Sequence, residues 1–345
     1  MFMKLKCAVI GLGRIGCGFD DDPDKKSIST HVGAYNKIEK TELVALCDSD
    51  QIKLKKYSEK FCITNSYTNI KEMFEKENLD CISICTLMDS HLEIVKEACN
   101  YKIKGIFIEK PISDTLENTA EIIRLCKKNK IKLQVDHQRR FSPVYQKIKK
   151  IINKDEFGDI QHASIYYGAG ISNTGSHLFD LMRYFFGNIQ YVKGHYSKNI
   201  SHKVKDLNID GNIIFKNGVK CSIHAFDVSN FGILEFDIIS TKARIKINLV
   251  LDSVEYFEIA KEKEGLQYNE LSPKHFEIKK VDSIVLGLEN LVDCIEKNKE
   301  PLCSGLDGYY SVEAIKAIIS SANNNGEKIY FPMNVDSYNI ATKMC

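Results

Sequence analysis

The sequence lacks the features that would direct a protein to a membrane or to nucleic acid. No apolar run approaches the ~18 residues that a transmembrane helix needs, and the formal net charge is only +2 over 345 residues. A chain without a strong positive charge offers no electrostatic footprint for nucleic acid or for an anionic membrane surface. We therefore expect neither a nucleic-acid partner nor a membrane partner.

Metal-binding motifs and an export signal are also missing. The sequence contains no Cys-x-x-Cys pair and no His-Glu-x-x-His motif, so we expect no metal site. The N-terminus passes into the first apolar segment without a signal peptide. Most of the 12 cysteines lie in apolar stretches, where a free thiol behaves as a small hydrophobic side chain. Together these observations predict a protein of the reducing cytoplasm.

The length of the chain predicts two domains, because 345 residues exceed what a single hydrophobic core supports. Up to residue 136, short apolar strands alternate with amphipathic helices, which predicts a doubly wound parallel sheet. One of those helices is expected to begin at Asp114, which is spaced with Glu117 as a capping box. From residue 137 onward, apolar and polar residues alternate, which predicts a large open, mainly antiparallel sheet. The predicted class is α/β, with an N-terminal domain at 1–136 and an α+β domain at 137–345.

A glycine motif follows the first apolar segment at 7–10 and has the spacing Gly-x-Gly-x-x-Gly. In this spacing one glycine makes a tight turn, a second lets the backbone approach a pyrophosphate, and a third lets a helix pack on the strand. The following helix N-terminus offers free N–H groups to phosphates. This context indicates a Rossmann-type dinucleotide-binding domain. The predicted cofactor-binding residues of the turn are Gly11, Gly13, Arg14, Ile15 and Gly16.

An acidic residue ends the second predicted strand, Thr41 to Cys47. Asp48 is placed to accept the two ribose hydroxyls of NAD, and its charge would repel a 2′-phosphate. The usual interval from the glycine motif to this acid is ~20 residues, and the longer interval here is explained if Phe19 to Thr30 is an inserted loop. We predict NAD as the cofactor, with NADP left open because Lys53 and Lys55 lie nearby.

Three further polar clusters could carry chemistry or join the domains. Glu109-Lys110-Pro111 ends a predicted parallel strand, which places Lys110 at the edge of the sheet where ligands bind. In the motif Asn173-x-Gly175-x-His177-x-x-Asp180, the histidine and the last acid are three residues apart and would share a helix face. Gln138-Arg139-Arg140-Phe141 lies between the two halves, and we expect its arginines to lock the domain junction.

In their order and spacing, these motifs resemble the Gfo/Idh/MocA family of oxidoreductases, named for glucose–fructose oxidoreductase and inositol dehydrogenase. Members of this family typically bind NAD or NADP and move a hydride between the nicotinamide and a hydroxyl-bearing carbon of a sugar or cyclitol. The resemblance covers nearly the whole chain, through the glycine motif, Cys85-Thr86 with His91, Glu109-Lys110-Pro111, Arg139-Arg140-Phe141, the motif from Asn173 to Asp180, and the helix after Asp307-Gly308.

The resemblance implies roles for individual residues. Lys110 is the lysine that contacts cofactor and substrate, His177 is the general base, and Asp180 is a ligand of a substrate hydroxyl. A neutral imidazole with an ordinary pKa of ~6.5 suits the removal of a hydroxyl proton, and an ammonium beside the same oxygen stabilises alkoxide charge. The other residues that the resemblance places at the cofactor are Thr86, His91 and Glu109.

Two positions depart from the family pattern. Asn173 stands where many members have an aspartate, which would orient the catalytic imidazole and stabilise its charged form. Leu87 and Met88 replace the usual proline and asparagine after the Cys-Thr pair. Either the imidazole of His177 is oriented and stabilised differently from that of other members, or this chain belongs with the branch that acts on nucleotide sugars or amino sugars.

The leading hypothesis is an NAD(P)-dependent dehydrogenase whose partner is a small-molecule carbohydrate: a sugar, sugar phosphate, nucleotide sugar or cyclitol with a secondary hydroxyl. Two alternatives stay open. One is a same-fold reductase of a non-sugar substrate, in which His177 would be dispensable. The other is a non-catalytic NAD(P)-binding sensor, which Asn173 favours. Because a large open sheet must cover its outer face, we expect a homodimer or homotetramer formed through the C-terminal sheet.

Overall fold

The computed structural model describes residues 4–199, 206–260 and 268–336. The chain folds into two compact units. Among the described residues, the first unit comprises 4–142, 281–312 and 334–336, and the second comprises 143–199, 206–260, 268–280 and 313–333. No helix within the described ranges combines the length and the apolar composition that crossing a bilayer requires.

Strands and helices follow one another along the described chain. The strands are β1 (Leu5–Ile10), β2 (Thr41–Cys47), β3 (Asn65–Tyr67), β4 (Cys81–Ile84), β5 (Gly105–Ile108), β6 (Lys132–Val135), β7 (Ile160–Tyr167), β8 (Ile189–Tyr196), β9 (Ile209–Phe215), β10 (Lys220–Ala225), β11 (Leu234–Ser240), β12 (Ala243–Asn248), β13 (Ser253–Ile259), β14 (Leu271–Lys274) and β15 (Ile329–Tyr330). The helices are α1 (His31–Lys37), α2 (Gln51–Phe61), α3 (Ile70–Lys76), α4 (His91–Ala98), α5 (Leu116–Lys128), α6 (Pro143–Ile152), α7 (Gly175–Phe186), α8 (Ser283–Lys297) and α9 (Gly305–Asn323).

The first unit is built on a parallel sheet with the strand order β3-β2-β1-β4-β5-β6. Its central strands β4 and β5 are buried at every position, as expected for parallel strands that are covered on both faces. This order reverses between β1 and β4, and ligands bind at the carboxyl edge of a sheet at such a reversal. The predicted doubly wound sheet is confirmed.

The segment after the glycine motif is interrupted by a loop. The N–H of His31 donates to the carbonyl oxygen of Ile15 (3.1 Å), and the N–H of Val32 donates to that of Gly16 (3.1 Å). These bonds continue the helical hydrogen-bond pattern from the glycine turn into α1. Residues 19–30 form a loop inserted between these two parts of the helix. This agrees with the insertion predicted at the same residues. Asp20 closes the loop, because its carboxylate accepts from the Ser29 N–H at 2.9 Å.

The first unit also contains α8 and the start of α9, and this differs from the division predicted at 136/137. The Gln134 side chain of β6 donates to the carbonyl of Gly287 in α8 at 2.6 Å. The guanidinium of Arg140 pairs with Asp307 in α9 (Nη1–Oδ1 3.0 Å). Residues 281–312 therefore complete the first unit, because α8 packs beside β5 and β6.

The second unit is built on a sheet with the strand order β14-β13-β12-β11-β7-β10-β9-β8-β15. β7 and β10 are parallel, and the other neighbouring pairs are antiparallel. In β7, the residues Ala163, Ile165 and Tyr167 are buried in a core shared with α6 and α7, while the alternate positions are half-buried. The predicted open, mainly antiparallel sheet is confirmed.

Candidate active site

The three glycines of the motif differ in what surrounds them. Gly11 has φ +92°, and a Cβ there would lie 2.7 Å from the carbonyl carbon of Cys85. A Cβ on Gly16 would lie 2.2 Å from the carbonyl oxygen of Gly11, whereas a Cβ on Gly13 would meet no atom within 4 Å. Gly11 thus lets the turn pack against the residues that follow β4, Gly16 lets the turn close on itself, and Gly13 leaves the backbone open to an approaching ligand. This is the fit that a dinucleotide pyrophosphate requires.

Asp48 is fixed beside the glycine turn. It follows β2, and its Oδ2 accepts from the backbone N–H of Leu12 at 2.6 Å while Oδ1 accepts from that of Asp50 at 2.8 Å. Each carboxylate oxygen has a second lone pair, so the same group can accept from ribose hydroxyls. Lys53 is paired with Asp50 (Nζ–Oδ2 3.4 Å), which weakens its attraction for a 2′-phosphate.

Arg14 and Ile15 connect the turn to the insertion and to α1. The guanidinium carbon of Arg14 lies 4.6 Å from the centre of the Phe19 ring, and the ammonium of Lys25 lies 5.5 Å from the same centre. Cations over an aromatic face are attracted by its quadrupole. The insertion therefore orients the Arg14 side chain, whereas Ile15 contributes its carbonyl oxygen to α1.

His91 supports the loop that follows β4. The residue is 1% exposed, with Nδ1 3.0 Å from the carbonyl oxygen of Ile112 and Nε2 3.1 Å from that of Thr86. Burial lowers the pKa of His91, although both carbonyls favour the protonated ring. Because both nitrogens face backbone carbonyls, the ring fixes the position of Thr86. The next two side chains, Leu87 and Met88, are exposed.

Lys110 follows β5 at the carboxyl edge of the sheet. Its backbone N–H donates to Oε2 of Glu109 at 3.2 Å. Burial lowers the pKa of the Lys110 ammonium; Glu109 and Asp136 oppose this shift with negative charge, and Arg139 adds to it. The lysine is therefore a partly desolvated cation close to two carboxylates.

A buried histidine, which sequence reasoning did not select, contacts both of those carboxylates. The ring of His31 is fully buried, with Nε2 3.2 Å from Oε1 of Glu109 and 3.5 Å from Oδ2 of Asp136. Its Nδ1 lies 2.9 Å from the hydroxyl of Ser83. The signal in the sequence is that Glu109 and Asp136 each come directly after a buried strand, so that both acids reach the same sheet edge.

The charges in this cluster shift one another's proton affinity. Burial disfavours the charged imidazole, but the carboxylates of Asp136 and Glu109 favour it, and the pKa of His31 lies well above its ordinary value. Burial and the charge of Asp136 raise the pKa of Glu109 to about 7, although His31 opposes this. The three ligand-type atoms of His31, Glu109 and Asp136 lie within 4.8 Å of one another. That spacing would also suit a metal ion, but ion pairing between imidazole and carboxylates accounts for it without one.

The predicted histidine motif lies in the second unit. A π-helical turn, Gly170–Thr174, precedes α7. Oδ2 of Asp206 accepts from the backbone N–H groups of Ser172 (2.8 Å) and Asn173 (2.9 Å). The hydroxyl of Ser176 donates to the carbonyl of Asn173 at 2.7 Å. These bonds fix the backbone that leads into α7.

The structure gathers the predicted residues into two groups. The glycine turn, Asp48, Thr86, Glu109 and Lys110 lie at the carboxyl edge of the parallel sheet in the first unit. Asn173, His177 and Asp180 lie in and just before α7 of the second unit. Within this second group, Asn173 is exposed, His177 is half-buried and Asp180 is buried.

This strand order, with a glycine turn after β1 and an acid after β2, defines a dinucleotide-binding domain. The model of the "Oxidoreductase family, NAD-binding Rossmann fold" matches residues 5–137, and that of the "Oxidoreductase family, C-terminal alpha/beta domain" matches residues 168–331. The chain belongs to the Gfo/Idh/MocA oxidoreductase family, which confirms the resemblance inferred from the motifs. It is an NAD-binding oxidoreductase.

Individual relatives are distant. The chain is 28% identical over 201 residues to the uncharacterized oxidoreductase YrbE of Bacillus subtilis, covering 54% of this chain and 55% of that protein. It is 23% identical over 328 residues to myo-inositol 2-dehydrogenase of Thermotoga maritima, covering 88% of this chain and 92% of that protein. Among solved structures, the WlbA dehydrogenase from Bordetella pertussis, in complex with NADH and UDP-GlcNAcA, superposes with a TM-score of 0.78. That likeness covers 96% of this chain and all of that chain at 19% identity, and it shows the shared fold.

Proposed function

We propose that the protein oxidises a secondary hydroxyl of a sugar, sugar phosphate, nucleotide sugar or cyclitol with NAD. The observation that carries this proposal is the position of Lys110, a desolvated cation at the same sheet edge as the glycine turn and Asp48. A relative aligned over nearly its full length is a myo-inositol 2-dehydrogenase, which favours a polyhydroxylated substrate.

The cofactor would be held by residues of the first unit. The open backbone at Gly13 would face the pyrophosphate, Asp48 would accept from the ribose hydroxyls, and Thr86 would lie in the loop near the nicotinamide. His91 would act through Thr86, whose carbonyl it contacts. When bound, NAD supplies the hydride acceptor.

In this proposal, Lys110 and His177 have different roles at the reacting hydroxyl group. Loss of hydride from carbon requires that the hydroxyl proton also leave, and in this proposal the imidazole of His177 takes it. The ammonium of Lys110 stabilises the negative charge that develops on the oxygen. Because it is partly desolvated, its charge acts more strongly there than in water.

The remaining residues orient the substrate and the base. Asp180, buried on α7 one turn beyond His177, would accept from a neighbouring substrate hydroxyl. Asn173 would orient the imidazole through a neutral amide, so that the charged form of the base gains less stabilisation than beside a carboxylate.

Two further properties belong to this proposal. A cytoplasmic location is supported by the eleven described cysteines, all of which are free thiols. Assembly into a homodimer or homotetramer is supported by the outward face of the second sheet, where Tyr166 stacks near His224 (ring centres 5.9 Å apart) and Arg244 pairs with Asp237. A face that carries both aromatic rings and charges of both signs can be self-complementary in a symmetric interface.

Turnover with a substrate panel tests the function. The full chain is incubated with NAD and, separately, with cyclitols, free sugars, sugar phosphates and nucleotide sugars, and NADH is followed by its near-ultraviolet absorbance. We expect NADH formation with at least one class. Inertness toward every class, in both directions and with NADH still bound, would overturn the proposal and favour a cofactor-binding sensor.

A further inference from the structure

The His31 cluster, defined here as His31, Ser83, Glu109 and Asp136, is a buried arrangement of charges next to Lys110. β5 and β6 pair in parallel with Ile108 opposite Val135, so the residues that follow, Glu109 and Asp136, emerge side by side. The N–H of Asp136 donates to the carbonyl of Ile108 at 2.8 Å, which continues this pairing. The imidazole of His31 lies against both carboxylates.

Hydrogen bonding indicates that the His31 ring carries a proton on both nitrogens. Nε2 faces the two carboxylates, which accept hydrogen bonds. Nδ1 lies 2.9 Å from the hydroxyl of Ser83, and this hydroxyl donates to that of Tyr35 at 3.0 Å. With its own proton directed at Tyr35, the Ser83 oxygen is an acceptor for Nδ1–H. His31 is thus an imidazolium.

The cluster and Lys110 balance in charge. Two buried carboxylates side by side repel each other, and each buried ion needs an opposite charge. Above about pH 7, where Glu109 is ionised, His31 provides one positive charge and Lys110 provides the second, so that these four ionised groups sum to zero. If the imidazolium were absent, both carboxylates would act on the lysine.

We propose that His31 is a positioning residue for Lys110: its imidazolium shares Glu109 and Asp136 with the lysine and thereby sets the charge that Lys110 presents to the substrate. The catalytic consequence rests on the proposed function, whereas the electrostatic coupling between His31 and Lys110 does not. The two can therefore be tested separately.

The charged groups around Lys110 and His31 determine whether a substitution raises or lowers the pKa of Lys110. Glu109 and Asp136 stabilise the ammonium of Lys110, and Arg139 destabilises it. On the other side of His31, burial raises the pKa of the Cys85 thiol, so this group is neutral and the two carboxylates hold the imidazolium. Removing His31 leaves both carboxylates to the lysine and should raise the pKa of Lys110 by about one unit.

The opposite change should follow from removal of a carboxylate. In Asp136→Asn one negative charge is lost, so the pKa of Lys110 should fall by about one unit. In the double variant with His31→Gln, one positive and one negative charge are lost together, and the pKa should return toward that of the unmodified chain. Shifts of opposite sign that cancel are not expected from a residue that only fills space.

A titration of Lys110 tests the coupling without turnover. Lysines of the full chain are reductively methylated with isotopically labelled formaldehyde, Lys110 is assigned by comparison with Lys110→Arg, and its resonance is followed against pH. His162→Gln is the matched control, because His162 also bonds a serine hydroxyl (Nε2 to Ser222 Oγ, 3.0 Å) but lies in the second unit. We expect the Lys110 titration to move up in His31→Gln, down in Asp136→Asn, and to stay in place in the control.

Two results would overturn the proposal. One is an unchanged titration of Lys110 in folded His31→Gln. The other is a stoichiometric metal ion in the purified chain that is lost in this variant, since the cluster would then be a metal site. If His31→Gln does not unfold cooperatively, His31→Asn takes its place, and an unchanged titration of Lys110 in that folded variant would overturn the proposal in the same way. Where substrate turnover is measurable, the alkaline limb of the kcat profile should move with the same signs, because the lysine must be charged to act.

Discussion

The backbone N–H of His31 donates to the carbonyl oxygen of Ile15 across an insertion, at 3.1 Å. The next amide does the same, from Val32 to Gly16. The glycine turn and α1 therefore behave as one helix from which residues 19–30 project. This relationship also delivers the His31 side chain to the edge of the sheet, next to Glu109.

Deletion of residues 19–30 should leave the fold and the backbone of the glycine turn intact. Without them His31 stands four positions after Ile15, which is the helical spacing that the existing hydrogen bond already satisfies. We expect cooperative thermal unfolding and retained NADH binding, followed by the cofactor's fluorescence. Deletion of residues 19–28 is the control, since it puts His31 out of register. Loss of NADH binding in the first variant would show that the loop itself builds the site.

Alanine at two glycines of the motif should have different effects. Gly11→Ala combines a positive φ with a contact of 2.7 Å to the backbone of Cys85, so we expect the free energy of unfolding to fall by about 1–3 kcal/mol. Gly13→Ala places a methyl group in open space, so the fold should persist while NADH affinity drops about tenfold. Thermal unfolding and NADH titration of both variants check this. A Gly13→Ala chain that binds NADH normally would contradict the pyrophosphate assignment.

Asp48→Asn should change the choice of cofactor. The amide oxygen can still accept from the N–H of Leu12, which holds the glycine turn, while the hydrogen bond from the N–H of Asp50 is lost because the amide nitrogen cannot accept. Loss of the charge removes the repulsion of a 2′-phosphate, and we expect the ratio of NADP to NAD affinity to rise by about tenfold. Dissociation constants for NADH and NADPH measure this ratio. An unchanged ratio would mean that a group other than Asp48 distinguishes the 2′-hydroxyl of NAD from the 2′-phosphate of NADP.

Much of the first unit could be predicted from the sequence, because buried parallel strands are continuous apolar runs with sharp ends. β2 occupies the predicted residues, and β5 ends directly before Glu109, as predicted. The start of α5 was predicted wrongly: Thr115, and not Asp114, accepts from the N–H of Asn118 and caps the helix. Thr115 has extended backbone dihedrals at this position, which spacing alone did not reveal.

The His31 cluster could not be found by motif. Its members are joined only by tertiary contacts, because α1, β4, β5 and β6 bring residues together that are 52 and 78 positions apart. Tertiary contacts also explain why the sequence places α8 in the predicted domain at 137–345. Its sequence is that of an ordinary amphipathic helix. Only contacts such as the hydrogen bond between Gln134 and Gly287 assign it to the first unit.

Lys110→Met should lower kcat by about 10²–10³, since the variant loses the charge that stabilises the developing alkoxide. Lys110→Arg keeps the positive charge with a different shape and should recover part of the rate. NADH affinity should change by about twofold or less in both. Steady-state kinetics with an active substrate measure these effects, and an unchanged rate in the methionine variant would remove the lysine from the mechanism.

Glu313 should make the second unit less stable at alkaline pH. Burial raises its pKa from 4.5 to about 7, and Oε1 accepts from the N–H of Met333. Since the folded pKa exceeds the unfolded one, the stabilisation is complete below about 4.5 and is lost as the pH rises through about 7. Between about pH 5 and about pH 8 this loss is about 2 kcal/mol.

Glu313→Gln, which cannot ionise, checks this dependence. Chemical denaturation at the two pH values should show a smaller difference in unfolding free energy for the variant than for the unmodified chain. Comparing differences removes the constant effect of the substitution itself. Equal differences in the two chains would show that this carboxyl group does not carry the dependence.

Turnover of His177→Ala, measured together with NADH binding, is the most direct test of the account. We predict that kcat falls by about 10²–10⁴ because the base is removed, while the dissociation constant for NADH stays within about twofold. Full turnover by the variant on the same substrate would contradict the account, and would favour a reductase that uses this fold without a histidine base.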